Sequence, residues 1–265
     1  YFLLLGVDAR PDQLDEAVRT DTMIVLRVDF DGKTARLLSF PRDLWLAMPQ
    51  AVQERDVTEG RINQGYYYGQ LYDLPGGGPQ TAMDTVTLNF AIPLDGYALV
   101  NFDGFVQVVD ALGGIDVNVP KAIYDPIFPT DDYGTIVFEL PTGLQHFDGL
   151  TALRYARTRH QDSDTERIVR QQLVLLALRD AALNVDTLTK VPELWQAVSG
   201  NFSTNLSLPQ VVAYGAVGQS IPREAIRTYA IDQTLLIPYI TPGGAHVWLP
   251  KRERIGALVA EFMNP

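Results

Sequence analysis

Strand-like and helix-like segments alternate along this chain from residue 2 almost to its end, and that interleaving confines it to a layered α/β architecture. Residues 1–5, Tyr1-Phe2-Leu3-Leu4-Leu5, read as the start of a buried strand running to Asp8. Residues 22–29 and 34–40 follow as two strands joined through Asp31-Gly32, a hairpin signal. Beyond residue 61 the spacing turns helical, with Ile62, Tyr66 and Gly69 on one face. A Gly76-Gly77-Gly78-Pro79 loop then leads to a helix at 81–90. Strand 96–101, helix 103–112 and strand 115–119 read as a β-α-β unit, with Gly113-Gly114 ending the helix.

Residues 121–147 read as a hairpin excursion with an acidic tip at Asp131-Asp132 and a clear strand at 135–140. Helices follow at 148–158, 165–184, 192–198, 209–220 and 251–263, with strands at 226–231 and 247–249. The implied fold is α/β, a three-layer α-β-α sandwich around a central mixed β-sheet. The expected division is a core over 1–185 and a C-terminal α/β extension over 186–265, packed on the core.

Charge and composition narrow the function. In 265 residues, 32 Asp and Glu outweigh 21 Lys and Arg, giving −11, which opposes the long-range attraction that general nucleic-acid binding needs. With no Cys, thiolate metal sites, disulfides and a cysteine nucleophile are excluded. The three His, at 146, 160 and 246, are too scattered to suggest a zinc site. No uncharged stretch is apolar enough to span a bilayer, and the abrupt opening on a strand suggests that an N-terminal segment precedes it. Phosphate-loop, dinucleotide-binding, nucleophile-elbow and zinc-protease motifs are all missing.

What remains is a set of Asp and Arg at strand ends. Asp8 closes the first strand and Asp21 opens the second, so adjacent strands can bring both to one sheet edge. Two hard carboxylates there would suit Mg²⁺ or Mn²⁺, although Asp also ends strands with no further role. Arg42 leaves the third strand at the same edge in Ser39-Phe40-Pro41-Arg42-Asp43, where Asp43 either holds its guanidinium or serves as a surface partner. Residues 154–171 hold five Arg around a helix break, with Asp164, Arg167 and Gln171 on one helical face. A solvated, salt-bridged helix gives the same pattern, whereas Arg near a helix start opposes the helix dipole unless an anion lies close by.

The ordered set closely resembles the LytR-CpsA-Psr family of cell-wall glycopolymer phosphotransferases. Its parts are Leu5-Gly6-Val7-Asp8-Ala9-Arg10, Arg19-Thr20-Asp21-Thr22, the segment around Arg42, Arg61-Ile62-Asn63, Asp110-Ala111-Leu112-Gly113-Gly114-Ile115, and Arg157-x-Arg159 followed by Asp162-x-Asp164-x-x-Arg167-x-x-Arg170-Gln171. These span the chain to about residue 180, and the match loosens past 186.

The resemblance implies transfer of a glycopolymer from an undecaprenyl-pyrophosphate-linked donor to a peptidoglycan hydroxyl, with hydrolysis when water is the acceptor. It places the reaction at the extracytoplasmic face of the membrane, in a protein held by a single N-terminal anchor. By position, Asp8 and Asp21 would hold the divalent cation, either could take the acceptor's proton, and Arg42, Arg61, Arg157, Arg159, Arg167 and Gln171 would bind the pyrophosphate. An apolar lipid groove between sheet and helices would be lined by Phe90, Val100, Phe102, Phe105, Val109, Leu173 and Leu176, each of which ordinary core packing would also explain. The alternative class is a non-catalytic polyprenyl-phosphate binding module. Retention of both Asp8 and Asp21 favours the enzyme, since a binder needs Arg but no metal carboxylates.

Overall fold

A computed structural model describes residues 1–8, 17–130, 134–158, 164–184 and 200–264. Along the chain these form β1 (Phe2–Val7), β2 (Thr20–Asp29), β3 (Thr34–Ser39), β4 (Trp45–Ala47), α1 (Gln50–Gln53), β5 (Glu59–Arg61), α2 (Gln64–Leu71), α3 (Gly77–Phe90) and β6 (Gly96–Asn101). Next come α4 (Phe102–Ala111), β7 (Ile115–Val119), β8 (Ile123–Pro129), β9 (Thr135–Leu140), β10 (Gly143–Phe147), α5 (Gly149–Arg157) and α6 (Asp164–Asn184). After them lie β11 (Phe202–Thr204), α7 (Leu208–Ser220), β12 (Ile226–Ala230), β13 (Leu236–Ile240), β14 (His246–Pro250) and α8 (Arg252–Met263). The expected helix at 192–198, the acidic tip at 131–132 and the polar break at 160–163 lie outside the described residues.

Two compact units divide the chain: Tyr1–Val100 with Ser203–Pro265, and Asn101–Phe202. The boundaries therefore fall at 100/101 and 202/203, where the sequence reading divides the chain at 185/186. Residues after 202 return to the first unit.

That first unit is built on a six-stranded sheet in the order β11-β6-β1-β2-β3-β12. β1 and β3 flank β2 antiparallel, while β12 runs parallel to β3, so the sheet is mixed as expected. Alternation along β1 sends Leu3, Leu5 and Val7 to one face, into a core shared with Tyr66 of α2, Val86 and Phe90 of α3, and Ile255, Val259 and Phe262 of α8. Phe2 points to the other face, where its ring lies 5.2 Å from that of Tyr214 on α7. Helices thus cover both faces, the layering that the interleaved pattern predicts. The β2–β3 turn is closed by Asp29, whose Oδ1 accepts from the Gly32 amide at 2.9 Å, with Lys33 left-handed at φ 49°.

In the second unit one expectation is corrected. β6, α4 and β7 do not form a β-α-β unit, because β7 pairs antiparallel with β10 in a separate two-stranded sheet. Ile115, Val117 and Val119 are buried while Asp116 and Asn118 are exposed, so β7 has a single core face and takes a local antiparallel partner. The Asp110–Ile115 motif has a packing role here. Asp110 Oδ1 accepts from the Gly149 amide at 2.7 Å, tying α4 to the start of α5, and Gly113 and Gly114 take φ of 83° and 95°.

Across the β7–β10 pair, His146 Nδ1 lies 2.7 Å from Asp116 Oδ1, and its Nε2 lies 3.1 Å from the Gly113 carbonyl oxygen. Both ring nitrogens face acceptors, so the protonated ring is favoured, and the Asp116 hydrogen bond raises the His146 pKa above its ordinary 6.5. The resulting stabilisation is fully present below the unfolded-state pKa and is lost as pH rises through the higher folded value. An NMR titration should find His146 above 6.5, and Asp116→Asn should move it back down. An unmoved midpoint in that variant would show that the pair does not set the ring's charge.

Candidate active site

The site in the first unit begins with an irregularity in strand pairing. Gly6 opposes Thr22 and Val7 opposes Thr20, leaving Asp21 as the extra residue of a β-bulge between them. Thr20 is fully buried beside it, whereas the Asp21 side chain keeps 29% of its surface exposed. Asp8, half-buried, directly follows β1 at the same end of this strand pair.

β3 leads through buried Phe40 and Pro41 into a turn closed by the Leu44 amide, which donates to the Pro41 carbonyl oxygen at 3.1 Å. Arg42 and Asp43 are its two central residues. Arg42 Nη1 donates to Asp21 Oδ1 at 2.5 Å, and Arg42 Nε lies 3.4 Å from Asp43 Oδ2. Asp43 in turn holds Arg61, with 2.8 Å between Oδ1 and Arg61 Nε. Asp43 therefore lies within ion-pair distance of two arginines.

Pairing of β4 with β5 sets Trp45 opposite Arg61, whose Nη2 also donates to the His246 carbonyl oxygen at 3.2 Å. The Trp248 amide donates to the Asp43 carbonyl oxygen at 3.1 Å, so β14 buttresses the turn. The result is a line of alternating charge, Asp21, Arg42, Asp43, Arg61, with side chains between 24% and 30% exposed. Asp21 and the His246 carbonyl orient the two guanidinium groups by hydrogen bonds, Asp43 lies within ion-pair distance of both, and partial exposure lets an oxyanion from solvent approach them.

Asp8 and Asp21 are hard oxygen donors at one strand-pair end. Among the described residues no group of three or more His, Cys, Asp or Glu could hold a metal ion. A site of two carboxylates completed by water and phosphate oxygens matches the way Mg²⁺ is usually held, so the donor set fits that ion.

Asn63 also lies here, though the motif pattern gives it no role. It is only 3% exposed, and its side-chain oxygen has no hydrogen-bond partner among the described residues, two positions after Arg61. The available signal was its place within Arg61-Ile62-Asn63, where only Arg61 received a role.

The other predicted residues lie mostly in the second unit. Arg157, the last residue of α5, places its guanidinium 4.1 Å from the centroid of the Phe102 ring and 5.9 Å from that of Phe128. Arg167 on α6 is 3% exposed, Gln171 one turn on is half-buried, and Arg159 lies outside the described residues. Arg170 is architectural: its Nε donates to the Tyr155 carbonyl oxygen at 3.1 Å and its Nη2 to that of Thr158. Thr158 Oγ1 donates to buried Asp125 at 2.6 Å.

Of the expected groove residues, Phe90 packs in the first unit's core with its ring 4.9 Å from that of Phe40, and Val100 is half-buried on β6. Val109 is fully buried in the second unit's core, with Phe105 and Leu173 packed against that core. Leu176 is half-buried on α6, and Phe102 lies under Arg157.

Comparison with known proteins matches residues 1–262 to the model of the LytR_cpsA_psr family. The polyisoprenyl-teichoic acid–peptidoglycan teichoic acid transferase TagV of Bacillus subtilis is 31% identical over 234 residues, covering 88% of this chain and 56% of the relative. The crystal structure of B. subtilis TagV superposes with a TM-score of 0.77 at 26% identity, over 100% of this chain and 97% of that one. A structure of TagT bound to LI-WTA gives 0.76 at 27% identity, over 99% and 88%. The chain spans about half the length of the curated relatives it matches, 49% and 56% for two of them.

Proposed function

Because this chain belongs to the LytR_cpsA_psr family, we propose that it moves a glycopolymer from a polyprenyl-pyrophosphate donor to a hydroxyl of peptidoglycan. The relatives' names support this reading, since TagV and TagU are called teichoic acid transferases acting from polyisoprenyl-linked donors to peptidoglycan. The observation that carries it is the bulged Asp21 locked to Arg42 beside the Asp43–Arg61 pair.

In the proposed reaction the acceptor oxygen attacks the phosphorus bonded to the polymer. The bridging P–O bond breaks, polyprenyl monophosphate leaves with the electron pair, and the new P–O bond completes a phosphodiester. Negative charge builds on the phosphoryl and leaving oxygens, so fixed guanidinium groups lower the barrier by neutralising it. Arg42, braced by Asp21 and Asp43, serves that purpose without reorganising, and Arg61 adds a second cation. The acceptor proton goes to a carboxylate, Asp8 or Asp21. Mg²⁺ held by these two residues would add charge neutralisation and orient the phosphate oxygens. Arg157, Arg159, Arg167 and Gln171 are assigned phosphate contacts on the family motif.

Peptidoglycan as acceptor sets the reaction outside the cytoplasmic membrane. Among the described residues no helix is long and apolar enough to cross a membrane, so the N-terminal anchor is part of the proposal.

The test combines protein, a short lipid-pyrophosphate-sugar donor, Mg²⁺ and peptidoglycan fragments, with products identified by mass spectrometry. Phosphodiester-linked product and lipid monophosphate are expected, with slower hydrolysis in water alone and loss of both in EDTA. Tight donor binding without transfer or hydrolysis would replace the enzyme with a lipid-binding module. Undiminished turnover in EDTA would remove the metal from the scheme.

A further inference from the structure

Beside the arginine cluster, α2 carries an aromatic ladder for which neither the motifs nor the phosphoryl chemistry has a use. Gln64 begins it: its Oε1 accepts from the Arg61 amide at 2.8 Å, and its Nε2 donates to the Tyr68 hydroxyl at 3.5 Å. One turn further along the same helix face, the Tyr72 ring is stacked on that of Tyr68, with centroids 5.7 Å apart and planes within 6°. Tyr67 meets Tyr68 edge-on at 5.3 Å.

Cations bracket the ladder. The exposed Arg19, two residues before Asp21, lies 5.4 Å from the Tyr67 ring centroid, and the exposed Arg55 lies 5.8 Å from that of Tyr72. All three rings are half-buried, so each keeps part of its surface in solvent. On their inner side, Tyr68 and Tyr72 rest on a small core of Met48, Val52 and Leu74, which holds the rings in place.

We propose that Tyr67, Tyr68 and Tyr72 form a binding subsite for a glycan strand, the acceptor in the transfer reaction, on which reading the assignment of its occupant rests. A pyranose ring presents an apolar C–H face with hydroxyls around its rim, and stacked tyrosines present flat apolar faces with hydroxyls at their edges. The ladder is continuous with the cluster through Gln64 and leads away from it along α2, so a strand lying on it would bring one sugar toward Arg61. Arg19 and Arg55 suit acidic substituents on that strand.

The probe is chitotetraose, an uncharged N-acetylglucosamine oligomer, titrated calorimetrically into the intact protein. Wild-type should bind it, and Tyr68→Leu and Tyr72→Leu, which keep apolar volume over the small core, should each weaken binding about five-fold. Tyr72→Trp should hold affinity to within about two-fold. With peptidoglycan fragments as acceptor, the Leu variants should raise KM far more than they lower kcat, and melting temperatures show whether any loss comes from unfolding. Absence of chitotetraose binding by wild-type, unchanged affinity in folded Leu variants, or displacement of the oligomer by a polyol-phosphate chain would overturn the assignment. Donor turnover by wild-type, run alongside with peptidoglycan fragments and with water as acceptor, tests the transfer reading separately: Tyr-dependent glycan binding with neither transfer nor hydrolysis would keep the subsite and discard the reaction.

Discussion

Arg42→Ala is expected to reduce transfer by roughly three orders of magnitude, the scale on which a charge-neutralising arginine acts in phosphoryl transfer. On the proposed reaction the loss should appear in kcat, because Arg42 already stands oriented by carboxylates on both sides and its charge would matter most as the bridging P–O bond breaks. Stability should fall by about 1 kcal/mol or less, since the Arg42 and Asp21 side chains are more than a quarter exposed and water can take up the carboxylate left behind. Arg42→Lys should recover little of the rate: one ammonium cannot reproduce the planar contact to Asp21 through Nη1 while Nε faces Asp43. The check is steady-state turnover of a lipid-pyrophosphate-sugar donor together with denaturant unfolding of each variant. An Ala variant turning over within a few-fold of wild-type would make the cluster a brace for the turn and nothing more.

Gly149→Ala is expected to be among the most damaging glycine substitutions in the second unit. A Cβ there would lie 2.4 Å from the Val106 carbonyl oxygen and 2.7 Å from its Cα, both rigid backbone atoms of α4. The two helices would have to part, straining the Asp110 contact to the Gly149 amide and loosening the core around Val109, Ala152 and Tyr155. The cost should be about 3 kcal/mol, the upper range for overpacking. Gly256→Ala is the matched opposite. It sits inside α8, a Cβ there meets nothing within 4 Å, and the change should stabilise by about 0.5 to 1 kcal/mol through helix propensity. Equilibrium denaturation of both variants checks the pair, and equal midpoints would contradict the packing account.

Strands β1, β2, β3 and β6 were legible because alternation or a sustained apolar run marks them without help from the rest of the chain. Strands β4, β5 and β11 have three residues each and offer no period to detect; their partners make them strands. The helix expected from 81 begins at Gly77, since Gly78 packs so tightly against Tyr66 that the glycine loop is itself part of the α2–α3 contact.

At the site, motif order was enough to nominate Asp21, Arg42 and Arg61, yet their contact depends on a bulge, a four-residue turn and a β4–β5 pairing that only the folded chain displays. The tyrosines beside Tyr66 were invisible for the opposite reason. The helical spacing marks only Ile62, Tyr66 and Gly69, and what sets Tyr67, Tyr68 and Tyr72 apart is that their rings stay partly in water.

The parallel pairing of β12 with β3 also dictates an order of assembly. The first unit draws its central sheet from both ends of the chain, with all of the second unit spliced between them. While residues 226–230 are still being synthesised, the backbone of β3 from Ala35 to Ser39 is an open strand edge without its native neighbour. Local contacts within 101–202 can form before that edge closes. Interrupted synthesis before β12 would therefore leave the Asp21–Arg42 region resting on a sheet whose β3 edge is unsealed.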